Sequence, residues 1–193
     1  MQRNLNTFFM KKILCAIIFI LFCSAASLAQ QLRTLDKSPM DMAYYPDNFA
    51  HDRKAGDKAI MRVTYSRPAK NGRAIFGQLV PFNEVWRAGA NEATEIKLYS
   101  PIELAGKKVN AGLYTLFAIP GEKEWTIILN SDLDYWGAYS YNATHDVVRV
   151  TAPVSSLTET VENFTIQFEK KGASEGVMKL AWDKTFVTVP FKF

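Results

Sequence analysis

Six residues lying between two strand-like stretches carry this chain's best case for chemistry: Arg73, Trp86, Arg87, Asn91, Glu92 and Thr94. Two guanidiniums offer planar forks of donors, the geometry that clamps a carboxylate, phosphate or sulfate through paired hydrogen bonds. An indole stacks on a sugar ring or on a guanidinium. Asn91 and Glu92 would then hydrogen-bond a polar ligand, and Glu92 beside Arg73 and Arg87 has the makings of a hydrolase acid or base. The same residues also suit a structural plug. In that arrangement Arg87 pairs with Glu92 or Glu84, loop carbonyls absorb the remaining donors, and Trp86 joins the core. Spacing leaves both readings open, because pocket residues and network residues look alike in sequence.

Other constellations are weaker. The two histidines, His51 and His145, each precede an aspartate, Asp52 and Asp146, but no pair of histidines has metal-ligand spacing, and no metal site is expected. There is no Gly-x-Ser-x-Gly elbow, no phosphate-binding loop and no dinucleotide fingerprint, so no cofactor is expected. Glu84, Glu92, Glu95 and Asp134 could supply a glycosidase pair only at a suitable separation, which spacing does not define. The loop Asp134-Tyr135-Trp136-Gly137-Ala138-Tyr139-Ser140-Tyr141 is rich enough in aromatics to form a carbohydrate-stacking edge. Packing over the end of the fold is the commoner use of such rings, with only their polar tips wet.

The elements that must position these groups are strands. Met61, Val63 and Tyr65 alternate with polar residues, as do Phe164, Ile166 and Phe168, and again Val187, Val189 and Phe191. Asn71-Gly72 is a tight-turn pair. Leu113–Ile119 and Glu124–Asn130 flank Pro120-Gly121, which reads as a hairpin. Further strands are expected over Thr94–Tyr99, Lys107–Val109, Val147–Ala152, Glu162–Phe168, Val177–Trp182 and Thr185–Phe191. No segment keeps a helical period, although a single helical turn fits Asn83–Trp86. Nine or ten short strands joined by hairpin-sized loops predict an all-β, antiparallel β-sandwich of jelly-roll-like type.

The first 29 residues read as an export signal. Lys11 and Lys12 precede an apolar run from Ile13 to Phe22, too short to span a bilayer, and Ser27-Leu28-Ala29 suits signal peptidase. Translation starting at Met10 fits the same pattern. A lipid anchor on Cys23 would want a small residue before it, where Phe22 stands. Loss of this segment leaves 20 basic against 19 acidic residues, so the whole-chain net charge of +4 falls to +1. A nearly neutral mature chain gives no electrostatic case for nucleic acid or an anionic membrane. Both cysteines, Cys15 and Cys23, leave as well, which excludes disulfides and thiolate chemistry from the remainder. The expected organisation is a signal over 1–29, an N-terminal arm over 30–57 and one β domain over 58–193. The arm is favoured over a strand there because Pro39, Pro46 and Gly56 interrupt the little periodicity present.

Four stretches together resemble a known family: Tyr65-Ser66-Arg67-Pro68, the run from Asn71 to Thr94 (NGRAIFGQLVPFNEVWRAGANEAT), the run from Ala111 to Asn130 (AGLYTLFAIPGEKEWTIILN), and Trp136-Gly137 with Tyr141 and Asp146. They resemble the exported bacterial proteins grouped as domain of unknown function 2911, over about Gly56 to Phe193. Phe82-Asn83 stands where that family usually has an aromatic followed by glycine, which bears on the turn shape there. The resemblance implies an all-β exported domain and brings no assigned activity, cofactor or catalytic residue. The expectation is therefore a periplasmic or extracellular module of the cell envelope that binds a small polar, anionic or glycan ligand through the six residues above. A hydrolase using Glu92 with Arg73 and Arg87, and a structural envelope scaffold docking a partner protein, are the alternatives. No transmembrane span is expected in the mature chain.

Overall fold

The computed structural model describes Met10, Lys12 and residues 32–193. The expected signal segment, with Cys15, Cys23 and its apolar run, lies outside the described residues apart from Met10 and Lys12, which are helical. The chain divides into two units, Met1–Leu35 and Asp36–Phe193. In the first, residues 32–35 take no regular structure. The second is all-β, with one short helix, α1 (Phe49–Asp52), and a 3-10 turn at Ala143–His145.

Its nine strands are β1 (Met40–Tyr45), β2 (Met61–Ser66), β3 (Thr94–Leu98), β4 (Ile102–Leu104), β5 (Lys107–Val109), β6 (Gly112–Pro120), β7 (Glu124–Asn130), β8 (Asp146–Lys170) and β9 (Glu175–Lys192). They are ordered β1-β2-β3-β6-β7-β8-β9-β4-β5. Every pairing is antiparallel. The β6–β7 hairpin closes through Pro120-Gly121, in register at Pro120↔Trp125. Gly121 is confined there, since a Cβ would sit 2.6 Å from the Glu124 carbonyl oxygen.

β8 holds the halves of the sheet together. Its first part, to Pro153, pairs with β7, and the part from Val154 onward pairs with β9. Within the part paired with β9 the register slips twice, at Ser156/Val161 and Val161/Thr165, where bulges add twist and turn the strand. The β2 side and the second half of β8 consequently face each other. Tyr65 Oη donates to the Ile166 carbonyl at 3.1 Å and accepts from the Ile166 amide at 3.0 Å. The main apolar core runs from Val63 and Ile96 through Trp125 and Leu129 to Phe164, Leu180, Trp182 and Val189, and a smaller cluster gathers Ala93, Phe117 and Ile128. Each fully buried large side chain of this kind contributes on the order of 1.5–3 kcal/mol.

Several features differ from the alternation-based expectation: β4 has no counterpart in it, and Val177–Trp182 and Thr185–Phe191 form one strand, β9. Val147–Ala152 and Glu162–Phe168 belong to one strand, although the stretch between them is polar: Ser155 and Ser156 pair with Phe186 and Thr185, and the exposed Thr158 and Glu159 fall in the register shift that follows. The segment expected to be an arm contains β1, which pairs with β2 from Met40↔Ser66 to Tyr45↔Met61. Apolar residues on both faces of Met40–Tyr45 blur the period of two. Burial of Tyr45 against Phe191 and Phe193, at 4.9 and 5.2 Å between ring centroids, secures it.

Candidate functional site

The site begins at a turn. Lys70-Asn71-Gly72-Arg73 closes through the Arg73 amide donating to the Lys70 carbonyl at 3.1 Å. Asn71 and Gly72 both have positive φ, 48° and 71°, which explains why this residue pair stands here. The turn is pinned to β8 by the Asn71 amide donating to Glu162 Oε1 at 2.7 Å. Lys70 reaches Asp183 at 2.9 Å. Chain reversal lays Arg73 back over its own turn, where Nε donates to the Lys70 carbonyl and Nη2 to the Ala69 carbonyl. The guanidinium is thereby oriented while the side chain stays exposed.

Trp86 is positioned by the sheet. β3 pairs with β6 as far as Thr94↔Leu116, and beyond that point Trp86 occupies the vacant lane next to Ala118. The two residues exchange backbone hydrogen bonds at 2.7 and 2.9 Å. This ladder contact replaces the helical turn that fits Asn83–Trp86 in the sequence. The indole enters the core beside Phe164, Trp125 and Trp182, stacked on the last at 17°. Its Nε1–H donates to the Gly89 carbonyl at 3.1 Å.

Thr94 is fully buried and structural. Its hydroxyl donates to the Ala88 carbonyl at 2.6 Å and its amide to the Arg87 carbonyl at 3.2 Å, which fixes the reversal that carries Ala88 at φ 51°. Gly89 passes so close that a Cβ would lie 3.1 Å from the Ser66 carbonyl oxygen. Asn91 and Glu92 serve as a rail for the aromatic loop. The Gly137 amide donates to the Asn91 carbonyl, the Ala93 amide donates to the Tyr135 carbonyl, and Glu92 bridges Trp136 through the backbone. The Asn91 side chain donates to Asp36 at 3.0 Å.

These supports surround a concavity of about 460 Å³. Arg73, Trp86 and Arg87 line it, together with Glu84, Tyr139 and Trp182. Asn91, Glu92 and Thr94 are not among its lining residues, and shape it from behind. Arg87 is the group that stands out chemically. It is half-buried, its Nε has no hydrogen-bond partner, and it forms no ion pair with Glu84, Glu92 or another carboxylate among the described residues. Burial pushes its pKa below the ordinary value, with Tyr139 acting in the opposite direction. A cation that gives up hydration without an internal counter-charge can regain that loss from an anion brought from outside.

The aromatic loop has a packed side and an open side. Tyr135 and Tyr141 press on Phe117, and both hydroxyls donate to carboxylates at 2.6 Å, Tyr135 to Asp132 and Tyr141 to Asp146. His145 pairs with Asp132 at 2.6 Å, and not with the adjacent Asp146. His51 pairs with its neighbour Asp52 at the surface. Among the described residues no three His, Cys, Asp or Glu side chains gather as a ligand set. Trp136 and Tyr139 form the open side, and Tyr139 is the ring that reaches the concavity.

Residues 46–191 match the family model described as Protein of unknown function (DUF2911). The chain belongs to that family. No curated protein and no solved structure matches it. The family span takes in the turn at Lys70–Arg73, the Trp86 lane and the aromatic loop. Ser38, which also lines the concavity, and Asp36, which holds Asn91, precede it.

Trp182 and Tyr139 are two lining groups that residue patterns alone did not assign to the site. Tyr139 carried a signal as part of an aromatic-rich loop. Trp182 reads simply as an inward strand residue, and only its stacking on Trp86 brings it to the concavity.

Proposed function

We propose that this protein is an exported module of the cell envelope that binds a small anionic or polar ligand in the concavity between Arg73, Arg87 and Tyr139. The observation that carries this reading is Arg87: half-buried, without a carboxylate partner, and facing a cavity within the ~300–1,000 Å³ range of small-molecule sites. Arg73, held by two carbonyls of its own turn, would meet the same anion from the rim at little entropic cost. Trp86 and Trp182 form an apolar wall. Export is supported by the leader-like first 29 residues. No helix among the described residues is long and apolar enough to cross a membrane.

The hydrolase alternative built on Glu92 draws no support from the geometry, since that side chain is exposed and does not line the concavity. Glu84 is the one carboxylate that does. A calorimetric panel of organic acids, phosphates and sugars tests the proposal. Micromolar to millimolar binding of an anion, weakened at least about tenfold by Arg87→Gln, is expected. A panel in which neutral and anionic compounds alike fail to bind the wild-type chain refutes it.

A further inference from the structure

Beyond the concavity, the exposed face of the aromatic loop extends the site. Trp136 and Tyr139 are 61% and 81% exposed, yet their rings are ordered against each other, 5.7 Å apart and 14° from parallel. The backbone beneath them is held by the Gly137 amide on the Asn91 carbonyl, the Tyr141 amide on the Ala138 carbonyl and the Glu92–Trp136 bridge. Gly137 has φ +73°, and its missing side chain leaves the space taken by the Tyr139 ring. Tyr139 is thus shared: one part lines the cavity beside Arg87, and the ring continues outward into Trp136.

We infer that this site takes an acidic saccharide of at least two rings, with the anionic unit beside Arg87 and Arg73 and the next unit lying on the Trp136–Tyr139 platform. The inference rests on the concavity being the anion site proposed above. Aromatic faces are electron-rich, and the C–H bonds on one face of a pyranose are weakly positive, so a preformed flat platform suits a sugar ring. The two rings are already stacked on one another, which leaves a surface to lie on and no slot between them to enter. Glu84 adds the second discriminating feature. A carboxylate in the lining accepts from hydroxyl donors and repels a polyphosphate, which matches a polyol bearing a single negative charge. Carboxylate and sulfate would both satisfy the arginines, because each offers oxygens to a guanidinium fork.

Calorimetry on the full chain separates these chemistries. The probes are galacturonic acid, its trimer, the methyl-esterified trimer, a trisaccharide bearing sulfate esters, and adenosine monophosphate. At least one acidic trisaccharide should bind about tenfold or more tightly than the monomer, and methyl esterification should abolish the uronate gain. Carboxylate or sulfate is assigned by which trimer binds. Trp136→Ala, whose side chain does not line the concavity, should cost the trimer far more affinity than the monomer, bringing the two toward equal binding. Equal affinity of monomer and trimer, indifference to Trp136→Ala, or tighter binding of adenosine monophosphate would overturn the saccharide inference while leaving the anion site standing. If none of these probes binds and the panel of organic acids, phosphates and sugars fails as well, both fall.

Discussion

The Tyr139 ring lies over Gly137 so closely that a Cβ on the glycine would come within 2.7 Å of two ring carbons. Gly137 is also in the left-handed region, at φ +73°, where a side chain costs roughly 1–2 kcal/mol. Gly137→Ala should therefore lower stability by about 1–2 kcal/mol in a denaturant titration. The same change displaces Tyr139 from the rim, so ligand binding should weaken more than the stability loss alone explains. An unchanged unfolding midpoint would show that the ring does not occupy this position.

Arg87 and Thr94 should behave in opposite ways. Arg87→Gln removes a half-buried cation that has no carboxylate partner among the described residues, and should change stability by less than about 1 kcal/mol while lowering anion affinity. Thermal melts with and without ligand read both effects. A large fall in melting temperature without ligand would assign the arginine to the structural network instead.

Thr94→Val keeps the side-chain shape and deletes the hydroxyl that donates to the Ala88 carbonyl. The buried acceptor left without its donor should cost about 1–3 kcal/mol. The Ala88 reversal would loosen and Arg87 with it, so affinity falls as a consequence. A fully wild-type unfolding curve contradicts this assignment.

Acid stability should depend on two carboxylates. Hydrogen bonds from Lys171 and Lys179 bring the Glu169 pKa down to about 2, and Tyr135 and His145 lower that of Asp132. Depressed folded-state values stabilise the protein above the ordinary carboxylate range and lose that contribution as pH falls toward the folded pKa. For Glu169 the window runs from about 4.5 down to about 2. Glu169→Gln should flatten the melting-temperature profile there, and Asp132→Asn should flatten it below the ordinary aspartate range. Tyr141 gives the alkaline counterpart. Burial, then its hydrogen bond to Asp146, raises its pKa from 10.0 to about 12, so its contribution is complete below pH 10 and is lost as pH rises through 12. Tyr141→Phe should remove that part of the alkaline decline.

The all-β class was readable in the alternation of Met61, Val63 and Tyr65 and of Phe164, Ile166 and Phe168, because a period of two has one physical meaning in a half-buried strand. The turn at Asn71-Gly72 and the hairpin at Pro120-Gly121 were readable for the same local reason: few residues adopt those backbone angles cheaply. The long motif around Trp86 sufficed for family membership. Tertiary structure alone decided which of the six candidate residues face a cavity. Thr94 and Asn91 have the same donors and acceptors in either role, and what commits them is a carbonyl turned back by the loop for Thr94 and a carboxylate brought in from Asp36 for Asn91. Trp182 and Tyr139 came to the site in the same way, through ring stacking on Trp86 and through a backbone bond from Gly137 to Asn91. Alternation tells which face a residue occupies. It carries no record of which distant strand or loop will lie across from it.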